Sequence, residues 1–126
     1  MTIVMGLWID HREATLVTLD GEAEAIQHIA SGVDKHVRFA GEAAQTTAED
    51  MRDRRFANQL SQFFDAVSTA VRAADSILIM GPGEAKGELA KHLEAENRPG
   101  RIVGIETVDK MTERQIAARV RQHFLR

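Results

Sequence analysis

The chain contains no cysteine. That excludes a disulfide scaffold, thiolate metal sites and a cysteine nucleophile, and it accords with a reducing compartment. Aromatic residues make up only 5% of the chain, and the basic final helix has only Phe124, which the core needs, so no aromatic interleaving there supports stacking on unpaired bases. Excess positive charge is absent too. The formal net charge is −3, so the whole-molecule field does not steer the protein toward nucleic acid. The N-terminal apolar run, Ile3 to Ile9, stops at Asp10. It is too short for a signal-peptide core, and no stretch approaches the roughly 18 apolar residues of a membrane span. The expectation is a cytoplasmic protein without membrane contact. There is no internal repeat, low-complexity tract or linker, and 126 residues suit one domain, residues 1–126.

What is present reads as alternating α/β structure. Hydrophobic residues at 44% and charged residues at 28% are those of a globular chain. Residues 3–9 are apolar without alternation, as in a central strand buried on both faces. DHRE (10–13) is a polar break of hairpin length, and ATLVTLD (14–20) is rich in β-branched residues. Asp20-Gly21 is a strong hairpin signal, and EAEAIQHI (22–29) carries the charge of an edge strand. Residues 30–47 show no period. Connections beyond about 12–15 residues are uncommon unless functional or mobile.

Thr46 and Glu49 have capping-box spacing. The helix they predict lines up Phe56, Leu60, Phe63, Phe64, Val67, Ala70, Val71 and Ala74 on one face. SILIMG (76–81) is a second buried strand. A helix follows with Leu89, Ala90 and Leu93 inward, and Pro99-Gly100 breaks it. RIVGIETV (101–108) is the last strand. Thr112 and Gln115 form another capping box, opening a helix with Ile116, Val120 and Phe124 inward. The order βββαβαβα predicts a mixed five-stranded sheet, order 3-2-1-4-5 with strand 2 antiparallel, flanked by helices.

The turn GPGEAK (81–86) invites a phosphate-binding reading. A glycine-rich turn entering a helix offers free amides and the positive end of the helix dipole, and Lys86 would add charge. Against this, the spacing is not that of a nucleotide loop, Glu84 repels phosphate, and Pro82 removes a donor. A plain strand-to-helix connection fits these residues better.

This element order, with ILIMGPGEAKGEL as strand-turn-helix after a long Arg- and Phe-containing helix, resembles the middle domain of archaeal and eukaryotic peptide chain release factors and of Pelota. Bacterial release-factor-like and host-attachment-type proteins share the pattern. The resemblance implies the fold of a translational machinery component, with DKHVRFAGEAAQ as the active loop and MRDRRFANQLSQFFDAV as the helix behind it. Release factors carry Gly-Gly-Gln in that loop. This chain has Gly41-Glu42-Ala43-Ala44-Gln45 there and no Gly-Gly-Gln anywhere. The resemblance therefore implies a non-catalytic, Pelota-like binding role, with no cofactor. Its implied partners are the ribosome, tRNA or another RNA, or another protein. The contact residues would be Lys35, His36, Arg38, Arg54 and Arg55, with Lys86 at the turn.

The same topology is also that of ribonuclease H-like nucleases, which hold divalent metals on carboxylates. Asp10, Glu84 and Asp109 sit at or just past strand ends and are the alternative metal ligands. Each has an ordinary reading as a turn or helix-start residue. His11 and His36 read as loop histidines, and His28, His92 and His123 suggest no cluster. Residues 110–126 hold five basic residues against Glu113, a sum of +4. That face is either a phosphate-binding patch or a solvated helix surface. A protein-interaction module is the remaining alternative.

Overall fold

The computed structural model describes residues 2–21, 23–32, 46–96 and 101–125, with the side chains of 46–56 outside the description. Three strands come first: β1 (Ile3–Ile9), β2 (Glu13–Asp20) and β3 (Ala23–Ala30). Then follow α1 (Thr46–Ala70), β4 (Ser76–Gly81), α2 (Ala85–Ala95), β5 (Arg101–Thr107) and α3 (Glu113–Phe124). The sheet order is β3-β2-β1-β4-β5, with β1 and β4 parallel, β4 and β5 parallel, and β2 antiparallel to both neighbours. The central pairing of residues 3–9 with 76–80 is thus as expected from their unbroken apolarity.

Period-two geometry divides each central strand between two cores. Met5, Leu7, Ile9, Leu16, Ile77 and Ile79 face α1 and α2, where Phe63, Phe64, Val67, Leu89 and Leu93 cover them. Trp8, Val17, Leu19, Leu78 and Met80 face α3, under Ile116, Ala117 and Val120. The predicted helical stripe therefore forms the core from Phe63 onward. Val71 and Ala74 stay buried although α1 ends at Ala70, because a looser turn continues, with Ala74 N–H on the Val71 carbonyl at 3.0 Å. Phe124 is only partly buried.

Both edges are sparsely covered. Along β3 all residues but Ile29 are exposed. In β5, Val103 is the extra residue of a bulge opposite Ile77 and Leu78, and Val103 and Ile105 remain exposed.

Two turns were legible in outline. Asp20 pairs with Ala23 across the β2–β3 hairpin, and Gly21 follows β2 at φ +65°. Glycine adopts that left-handed angle without the Cβ clash. At the start of α3 the Gln115 amide donates to Thr112 Oγ1 at 3.1 Å, and the Thr112 amide donates to Gln115 Oε1 at 2.9 Å. This is the reciprocal cap predicted there. The corresponding side chains at Thr46 and Glu49, and the break at Pro99-Gly100, lie outside the described residues.

Candidate functional site

Parallel strands β1, β4 and β5 end on the same side of the sheet. In open α/β sheets ligands gather outside such carboxyl ends. The chain places Asp10, Gly81 to Lys86, and Asp109 to Lys110 there.

Local chemistry occupies most of these groups. Asp10 Oδ1 accepts from the amides of Arg12 at 2.8 Å and Glu13 at 2.9 Å, closing the β1–β2 turn. This Asx-type bond is the ordinary role of an aspartate opening a hairpin. Glu84 is the N-cap residue of α2, but its side chain makes no capping bond. Asp109 contributes its main-chain carbonyl, which accepts from Trp8 Nε1 at 3.0 Å. The carboxylates of Asp10, Glu84 and Asp109 do not converge on one another; the three-residue cluster with ligand spacing among the described residues lies elsewhere, on α1 and at the C-terminal end of α2.

The turn at residues 81–83 has a packing explanation. A Cβ on Gly81 would lie 2.2 Å from the Ile9 carbonyl oxygen. The last residue of β4 thus approaches the β1 backbone too closely for any side chain. Gly83 has open space around it. Lys86 Nζ turns back and donates to the Gly83 carbonyl rather than pointing away from the turn. Beside the turn, an open depression of about 440 Å³ runs along the first turns of α2 to the β5 edge, lined by Glu84, Lys86, Glu88, Lys91 and Ile105 with Gly83 and Gly87. Two acids and two lysines balance its charge. His11 reaches across from the β1–β2 turn, with Nε2 2.7 Å from Glu88 Oε1.

Three cations of the basic C-terminal region are paired as well. Lys110 lies 2.5 Å from Glu13 and also sits over the Trp8 ring, with Nζ 5.0 Å from its centroid. Arg119 bonds Glu106 at 3.1 Å, and Arg121 bonds Glu24 at 2.7 Å. The +4 count along residues 110–126 therefore overstates the field of this face. Its counter-charges come from β2, β3 and β5, which sequence summation over one helix cannot register.

Lys35, His36 and Arg38 lie outside the described residues. Arg54 and Arg55 fall in the N-terminal half of α1, with their side chains likewise outside.

The histidines on regular elements form more contacts than the sequence suggests. His28 of β3 meets Glu113 of α3. His92 of α2 lies 2.9 Å from Asp65 of α1 and 3.3 Å from Glu96. Only the i,i+4 spacing of His92 and Glu96 was available as a signal. Asp65 enters from another helix.

No known protein-family model matches the chain, and no curated protein matches it by sequence. Among solved structures, the chain is similar to Pelota from Thermoplasma acidophilum, at 15% identity and a TM-score of 0.58 over 98% of this chain. Pelota from Archaeoglobus fulgidus matches at 12% identity, with the same TM-score and coverage of this chain. The archaeal translation termination factor aRF1 matches at 13% identity with a TM-score of 0.52 over 93% of this chain. The chain spans about a third of those chains, 32%, 32% and 37%. At such identities the likeness is one of fold: the five-stranded sheet and three helices described above are the architecture of a domain within Pelota and aRF1.

Proposed function

We propose that this chain is a non-catalytic binding protein of the translation machinery, acting in the cytoplasm on the ribosome, tRNA or another structured RNA. The observation that carries this reading is the likeness of nearly the whole chain to a domain of Pelota and of a translation termination factor. The missing Gly-Gly-Gln supports binding rather than peptidyl-tRNA hydrolysis. The contact surface in this reading comprises Lys35, His36, Arg38, Arg54 and Arg55, with Lys86 as a further cation at the 81–86 turn. Loops held by a rigid scaffold commonly carry such contacts. The balanced charge around α3 makes Arg119 and Arg121 weaker candidates, since each already holds a glutamate.

The test is binding of the purified chain to ribosomes and to structured RNA across a salt series. A Lys35→Ala/Arg38→Ala/Arg55→Ala variant should bind more weakly, and the slope of log affinity against log salt should fall by about one unit per lost phosphate contact. Unchanged affinity and slope would remove this surface from consideration. Ribosome-dependent hydrolysis of peptidyl-tRNA, lost in Gln45→Ala, would replace binding by catalysis. Magnesium- or manganese-dependent cleavage abolished by Asp10→Asn would replace it by a nuclease.

A further inference from the structure

The geometry points to a binding site for a first-row divalent cation of the zinc type, formed by Asp65, His92 and Glu96 at the junction of α1 and α2. One donor atom from each residue lies within 4.8 Å of the other two. His92 Nε2 is 2.9 Å from Asp65 Oδ1 and 3.3 Å from Glu96 Oε2. Two donors each about 2.1 Å from a shared ion, at such separations, subtend roughly 90° and 105° at it, within the range of tetrahedral to octahedral coordination.

The supporting groups are those a metal site requires. Ser68, fully buried, donates its hydroxyl to Glu96 Oε1 and so fixes the carboxylate from behind. The His92 ring lies against Phe64, with centroids 5.8 Å apart. Such outer contacts orient ligands and strengthen metal sites. Charge favours a cation. With a neutral imidazole the three side chains carry two negative charges. One Nε2 proton can serve two carboxylates only by sharing, whereas a dication engages all three donors at once. The nitrogen donor selects zinc-like ions over magnesium and calcium, which prefer oxygen throughout. Asp65 is largely exposed and His92 and Glu96 partly so, which leaves solvent a route to the remaining coordination positions.

Bound metal would tie α1 to α2 across 27 residues of sequence. The test titrates the intact protein with Co²⁺ and Zn²⁺. The expected result is a Co²⁺ visible absorption spectrum that Zn²⁺ displaces, and a thermal midpoint raised by Zn²⁺ but not by Mg²⁺. Asp65→Asn, on an exposed side chain whose replacement leaves the core intact, should weaken Zn²⁺ binding at least about tenfold. His92→Ala should abolish the cobalt spectrum. Absence of binding in the wild-type protein overturns the site. So does binding of equal strength in Asp65→Asn and His92→Ala, which would assign the metal to another pair such as His11 and Glu88 or His28 and Glu113.

Discussion

The sheet face under α1 and α2 and the face under α3 are covered by different means. On the first, two helices bring large side chains, among them Phe63, Phe64, Leu89 and Leu93, onto Leu7, Leu16 and Ile79. On the second, a single helix must shield Trp8, Leu78 and Met80. It does so by sitting close. Gly6 of β1 lies under Val120, and a Cβ on Gly6 would come within 2.3 Å of Val120 Cγ2. The helix is also fixed at its start by the reciprocal cap of Thr112 and Gln115. Apolar area secures one face; a missing side chain and a well-made helix terminus secure the other.

That contrast can be broken by mutation. Leu89→Ala, on the two-helix face, removes a fully buried side chain and should cost about 2–5 kcal/mol in urea unfolding, since neighbours only partly fill such cavities. Gly6→Ala, on the one-helix face, adds a single methyl and should cost about 1–3 kcal/mol through overpacking. The obstructing atoms belong to the Val120 side chain, so Gly6→Ala/Val120→Ala should lose clearly less than the sum of its two single variants. Strict additivity would show that α3 is not seated on Gly6. Thr112→Ala should cost about 1 kcal/mol, the usual value of an N-cap, with the m-value unchanged. A larger loss would mean that the cap also positions Lys110 and Trp8.

Much of the fold was legible because its signals are local. The unbroken apolarity of residues 3–9 and 77–80 marks strands buried on both faces, and their parallel pairing follows from the helix between β4 and its predecessors. Phe63, Phe64 and Val67 recur at helical spacing, and all three are buried. The candidate site was legible only in part. Asp10 was open to both a turn and a ligand reading, and the bonds from Arg12 and Glu13 supply the turn role. His92 carried no visible signal beyond Glu96 four residues on, because Asp65 lies on a different helix.

Sequence by itself determined which segments are strands and helices, which faces are apolar, where α3 is capped, and that no Gly-Gly-Gln is available. Each of these depends on residues within a few positions of one another, where backbone sterics and side-chain periodicity decide. Only the tertiary structure decided that Gly81 is required by the Ile9 carbonyl and Gly6 by Val120. It also decided that Arg119 and Arg121 are neutralised by Glu106 and Glu24, and that Asp65 meets His92. Those distances are set by how helices seat on a twisted sheet, and residues far apart in the chain acquire them only when both cores close.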